Sequence, residues 1–361
     1  MTTIQKRDSG IDLLRLFAMG LIILHHLITH GGLSFTFSHF TISGMAMHLL
    51  NAVTRCAVNA YALISGYVMV QSRFRPSRLI SLWLQVVFFA VLGVLCLPLM
   101  GERILPEHLF SAVTPVSHDY YWYFTCYTVV FCLSPFLNLL LNSMNKRQAG
   151  WMLAALAILF SILPTFMLVD RFQLNKGYHA GWLVILYLYG GAFRMHGFHK
   201  IISRKKAVLI CAGCILASWT FRLAALAMNA AWLEEHLLNY TSPTMLLCGA
   251  ALIALFSGCH LPERIARAVS VLSPLTFGVY LIHDNPLVRE HLIRMRVIGL
   301  AGLSPVGLLA GLFACWAGVY ALCLLIEWLR TKLFALLCVP ALCSRLETLL
   351  LRRAQRCFPD K

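Results

Sequence analysis

Charge is what this sequence has least of. Asp, Glu, Lys and Arg make up only 12% of its 361 residues, and the acidic sign is the scarcer, 14 residues against 30 basic ones. Soluble domains carry roughly 25% charged residues, so a soluble globular protein is excluded. No disulfide framework is visible either, because the 13 cysteines fall mostly inside apolar runs, where a cysteine behaves as a small hydrophobe. The one Cys-x-x-Cys, Cys211 to Cys214, lies in such a run without His or Cys partners nearby, which argues against zinc or redox chemistry. The first apolar run lacks a small-residue cleavage site and carries Arg15, His25 and His26, so it is expected to remain as a signal-anchor. An internal repeat of the kind found in many transporters is also missing.

What the chain does have is apolar length. Runs suited to crossing a bilayer, about 17–25 residues each, centre near Ile22, Ala60, Phe89, Val130, Leu159, Tyr187, Leu216, Ala250, Phe277 and Ala314. The formal charge of +16 would suit nucleic acid if it formed a patch on a soluble domain. Instead it gathers in one set of connections: SRFRPSR after the second run, NKRQ after the fourth and RMHGFHKIISRKK after the sixth. Glu102, Glu107, Asp119, Glu234 and Glu235 occupy the other set. The positive-inside rule then puts both termini in the cytoplasm and requires an even number of spans. The expected fold class is all-α, a polytopic transmembrane helix bundle of about ten helices. Residues 1–330 are expected to form the membrane domain. Residues 331–361 are expected to form a basic, partly amphipathic tail in the cytoplasm or at the inner interface. The lipid bilayer is the expected partner and nucleic acid is not.

Ionisable side chains inside such runs are costly and mark sites. Arg15 and His26 are eleven positions apart in the first run, which returns them to one helical face about 16 Å apart along the axis; His25 points away. A guanidinium there can bind phosphate or stabilise an oxyanion, and an imidazole can take a hydroxyl proton or be acylated itself. The competing reading is an arginine that snorkels and a histidine satisfied by a neighbouring helix. The second run carries His48, Arg55, Asn59 and Gly66 as a polar stripe, with Ser65 beside the glycine; there Arg55 either serves a site or holds Asn59 and helix carbonyls in place. The ninth run places Thr276, Tyr280 and His283 on one face, followed by Asp284, and neighbours on a helix do not face each other. Trp122 opens the fourth run, as an aromatic belt also would. Arg222 is a third intramembrane arginine, without an identified partner.

Five segments, in order, resemble the acyltransferase-3 family of integral-membrane acyltransferases acting mostly on bacterial surface glycans. They are DLLRLFAMGLIILHH with its Arg-x10-His, RCAVNAYALISGYVMV ending in Ser-Gly-Tyr, YYWYFTCYTVVFCLSPFL, AGWLVILYLYGGAFR and SPLTFGVYLIHDNPLVR. The resemblance implies about ten transmembrane helices, an acyl-CoA donor arriving from the cytoplasm, and transfer to a hydroxyl at the other face. It maps the family's Arg-x10-His onto Arg15 and His26 and its Ser-Gly pair onto Ser65 and Gly66. The expected activity is O-acetyl transfer from acetyl-CoA to a surface polysaccharide or lipid-linked glycan in the inner membrane. Arg73, Arg75 and Arg78 are expected to meet the donor phosphates. His26 would act as base or acyl carrier, Arg55, Asn59, Trp122, Tyr280, His283 and Asp284 would support the site, and no metal is expected. The alternative is a transporter or flippase for a lipid-linked sugar or small anion, its path lined by Arg15, Arg55 and Arg222.

Overall fold

The structure is a computed structural model describing residues 8–37, 40–167 and 169–357. Residues 1–7 of the expected membrane domain and 358–361 of the expected tail lie outside it. The described residues are helical, with no strand. In chain order the principal helices are α1 (Ser9–Thr29), α2 (Ile42–Arg55), α3 (Ala57–Met69), α4 (Pro76–Leu95), the short α5 (Pro106–Val113) and α6 (Trp122–Ser143). They continue with α7 (Lys146–Phe166), α8 (Ala180–His196), α9 (Arg204–Ala227), α10 (Pro243–Phe256), α11 (Glu263–Leu272), α12 (Thr276–His283), α13 (Pro305–Leu336) and α14 (Val339–Cys357).

Among the described residues, eight segments are long and apolar enough to cross a membrane: α1, α4, α6, α7, α9, Ala231–Phe256, Glu263–His283 and α13. The remaining two of the ten expected runs, around Ala60 and Tyr187, differ from simple spans. The first is broken between α2 and α3 at Cys56, whose N–H turns to the Thr54 carbonyl, and no proline or glycine announces the break. The second is α8, only 17 residues long and ended by Gly197 at φ 69°. Both are nonetheless central. Gly66 of α3 lies on the Tyr187 carbonyl and Gly190 of α8 on the Leu63 carbonyl, so closely that a Cβ at either would collide with backbone. Small residues let membrane helices approach in this way.

Helix α1 runs through the core. Asp8 caps it by accepting from the Gly10 and Ile11 N–H groups at 3.0 and 3.3 Å. Trp316 and Tyr320 of α13 donate to the Gly20 and Leu16 carbonyls at 2.7 and 2.8 Å. At the opposite end of the bundle, Met295 N–H bonds the His30 carbonyl at 3.0 Å. The face where α1 begins also collects Gln71, which accepts from Arg194 at 3.2 Å, and Gly258, bonded to both Asp8 and Arg204. Residue 331, where the tail was expected to begin, lies inside α13; α14 follows and rests against α4, with Arg75 and Glu347 paired at 3.5 Å.

Candidate active site

His26 emerges from α1 toward the end of α12. Because α12 stops at His283, the next residue leaves the helical path, and two adjacent side chains converge on one imidazole. His283 Nε2 lies 3.1 Å from His26 Nδ1, and Asp284 Oδ1 lies 3.6 Å from that same nitrogen. His283 Nδ1 is 2.7 Å from the Val279 carbonyl, an acceptor only, so Nδ1 carries the proton and Nε2 is the lone pair. His26 Nδ1 must then be the donor to it, which leaves His26 Nε2 as its basic nitrogen. Arg289 completes the chain by donating to Asp284 Oδ1 at 2.9 Å. His25 turns the other way, with Nδ1 3.2 Å from the Thr54 hydroxyl.

The frame behind these groups is fixed by buried polar contacts. The Asn285 amide donates to the Tyr121 hydroxyl at 2.9 Å and the Phe89 carbonyl at 3.2 Å, and Tyr121 donates to the Leu281 carbonyl at 2.8 Å. At the other side of α12, Gly278 leaves room for the fully buried Glu327 carboxylate, which takes hydrogen bonds from Gln85 and Arg330. Buried polar groups satisfied in this way rigidify what they hold.

His26 borders a cavity of about 390 Å³, shared with His25, His30, Arg55, Trp122, Tyr178, Glu235, Tyr240, Tyr280, Asp284 and Arg289. Its wall is aromatic: Trp122 stacks on Tyr240 with planes 12° apart and centroids at 6.2 Å, and Tyr178 lies beside both. Its two arginines are already paired, Arg55 with Glu235 at 2.8 Å and Arg289 with Asp284. His30 sits just beyond α1, and burial, reinforced by Arg289, holds its pKa below the ordinary histidine value against the opposing pull of Asp284. Donor atoms of His26, His30 and Asp284 lie within 4.8 Å of one another, a set whose atom types suit a divalent metal, although Arg289 already supplies a cation to the carboxylate.

Arg15 borders a second, smaller cavity of about 160 Å³ with Ser65, Tyr127 and Ser273. It lies 3.6 Å from Asp12, which also accepts from the Ser273 hydroxyl at 2.9 Å. Arg15 and His26 therefore share a helix but not a chamber. Tyr61, Tyr123 and Phe277 border both cavities, forming the partition between them. The Tyr61 hydroxyl is tethered to Thr276 at 2.9 Å.

The other expected residues divide. Arg55, Trp122, Tyr280 and Asp284 line the His26 chamber and Ser65 lines the Arg15 chamber, while His283 acts on His26 from behind. Asn59 borders neither: fully buried, it donates to the Tyr240 carbonyl at 2.8 Å and accepts from Trp182 at 3.1 Å. Arg55 holds Glu235 rather than Asn59. Gly66 is a packing point of α3 on α8. Arg73, Arg75 and Arg78 lie exposed at the α3–α4 connection and border neither chamber. Arg222 is buried, with Nε and Nη1 lacking hydrogen-bond partners among the described residues; Glu235 and Glu234 supply its attractive field. The Cys-x-x-Cys does meet a third cysteine, Cys211 Sγ donating to the Cys248 carbonyl at 3.7 Å. Sequence spacing missed Tyr178 and Tyr240, which arrive from distant segments, and also His30 and Arg289, which follow His26 and Asp284 by four and five residues, beyond the helix ends that carry the expected site.

The arrangement is that of a helical membrane bundle with a polar-bordered chamber between its helices and an oriented histidine in that chamber. A family model described as an acyltransferase domain matches residues 8–328, and the chain belongs to this acyltransferase-3 family. No curated protein and no solved structure matches it.

Proposed function

We propose that the protein is an O-acetyltransferase of the inner membrane, moving acetyl from cytoplasmic acetyl-CoA to a hydroxyl of a surface polysaccharide or lipid-linked glycan. The observation that carries this reading is the orientation of His26, whose Nδ1 is engaged by His283 and Asp284 so that its Nε2 remains as the base beside an aromatic chamber. Flat aromatic walls with a few convergent polar groups suit a sugar ring. The pairing of Arg55 and Arg289 with carboxylates leaves no strong net charge there, which fits an uncharged acceptor. The donor would enter from the end bearing Arg15, with basic residues of that face, including Arg73, Arg75 and Arg78, attracting its phosphates. In this reading both termini are cytoplasmic, the α2–α3 pair and α8 complete ten crossings, and no metal is required.

His26 Nε2 takes the proton of the acceptor hydroxyl as its oxygen attacks the thioester carbonyl carbon. Negative charge collects on the carbonyl oxygen at the partition, where Arg15 and the tyrosine hydroxyls are the available stabilisers. The C–S bond then breaks and the proton passes to the CoA sulfur. In the relay form of the same chemistry, His26 first takes the acetyl group itself and then yields it to the acceptor. Labelled donor added without acceptor distinguishes the two: an acetyl adduct on His26 supports the relay, and its absence the direct route.

His26→Ala and Arg15→Ala, compared at matched membrane expression, test the whole reading by NMR of glycan O-acetyl groups. Loss in either, with His25→Ala retaining activity, supports it; full acetylation in both variants overturns it. Release of free CoA by purified protein with acceptor separates it from a transporter, which releases none.

A further inference from the structure

A third opening, of about 420 Å³, lies away from both chambers and is bordered by Lys146, Arg194, Met195, His196, Gly197, Lys200 and Ile201. Its chemistry is the reverse of theirs. Lys146, Lys200, Arg194 and His196 face it, and no carboxylate borders it among the described residues. The pocket joins two connections distant in sequence, the start of α7 and the turn after α8, so it is made by the fold. The Lys146 ammonium lies 5.8 Å from the Phe198 ring centre. Arg194 is aimed by the Tyr67 hydroxyl at 3.3 Å and the Gln71 amide oxygen at 3.2 Å, which leave part of its guanidinium for a ligand. The His196 Nε2 is buried without a hydrogen-bond partner among the described residues. Asp8 is the acid within electrostatic reach of neighbouring Tyr67 and His199, but its oxygens accept from the N–H groups of Gly10, Ile11 and Gly258.

Position adds to composition. Tyr67, which holds Arg194, follows directly on Ser65 and Gly66, and Ser65 borders the Arg15 chamber. The basic pocket therefore opens on the same face of the bundle as that chamber. Arg73, Arg75 and Arg78 border it no more than they border the chambers, and Arg75 is engaged by Glu347.

We propose that this pocket binds phosphate groups, with Lys146, Arg194 and Lys200 as the cations and His196 as a further donor. Guanidinium and ammonium donors form short charge-assisted hydrogen bonds with phosphate oxygens. Two ligands present that chemistry at this face: the phosphorylated nucleotide end of the donor, which rests on the acetyltransferase reading above, and the headgroup of an anionic lipid, which does not.

The test uses the full chain in nanodiscs and the double variant Lys146→Ala/Lys200→Ala, which leaves Arg194 and its partners in place. Calorimetric titration compares CoA with pantetheine, which lacks every phosphate, and thermal unfolding compares discs of phosphatidylcholine with discs that also contain phosphatidylglycerol. If the donor occupies the pocket, the double variant binds CoA about tenfold or more weakly while pantetheine binding is unchanged, and Lys146→Arg/Lys200→Arg restores the difference. If a lipid occupies it, CoA binding is unchanged and the double variant loses the stabilisation that phosphatidylglycerol gives the parent. A variant that matches the parent in both arms overturns the proposal. A parent protein that binds no CoA and transfers no acetyl group removes the acetyltransferase reading, and the lipid arm still decides the pocket.

Discussion

His26 and His283 face each other across α1 and α12 with Nδ1 and Nε2 3.1 Å apart, and the proton between them belongs to His26. This fixes which nitrogen of His26 is left for chemistry. In the proposed reaction Asp284 would stabilise the positive charge that His26 acquires on taking a proton, and Arg289 holds that carboxylate in place at 2.9 Å.

Asp284→Asn should therefore lower kcat by about 100-fold or more with a much smaller change in acceptor KM, as measured by acceptor-dependent CoA release. Parent-like kcat in a folded variant would show that the carboxylate does not act on His26.

The contact of α3 with α8 makes a second prediction, one of stability. Gly190→Ala places a methyl group on the Leu63 carbonyl and should cost about 1–3 kcal/mol, read as a lower unfolding temperature in detergent. Gly213 on α9 has open space around it, so Gly213→Ala serves as the control and should leave stability unchanged or slightly raised.

Phe277 is part of the partition. Phe277→Ala should join the two chambers and admit water to the thioester, raising CoA release without acceptor several-fold while acceptor-dependent transfer falls. Donor hydrolysis at the parent rate would mean that the ring does not separate them.

Acid should weaken the end of the bundle at His30. Burial, aided by Arg289, lowers its folded-state pKa, so the unfolded chain binds more protons over the interval between the folded value and the unfolded value of about 6.5. Stability is then full above that interval and falls as the pH drops through it. Thermal unfolding of the parent and His30→Gln across this range measures the effect; the variant should lose less stability than the parent, and equal losses would show that His30 does not contribute.

The helical period sufficed to put Arg15 and His26 on one side of α1 and to mark the end of the ninth run, because both depend on neighbours within one segment. It did not show that rings from three other helices part the two residues into separate chambers. Nor did it join Arg55 to Glu235 across 180 positions, or turn Asp284 toward His26. That turn depends on where α12 ends, and the break at Cys56 has no turn residue to signal it. The arginines after α3 were legible as charge but not as geometry: a basic connection says which face a loop lies on, not which opening it borders.

The three rings between the chambers also concern the membrane as a barrier. A bundle with polar groups at both depths would leak if its openings were continuous, and a leak dissipates the ion gradients on which a cell depends. Tyr61, Tyr123 and Phe277 stand between the two openings and close that path. Under the proposed function, acetyl groups would then pass from one side to the other without the protein becoming a pore.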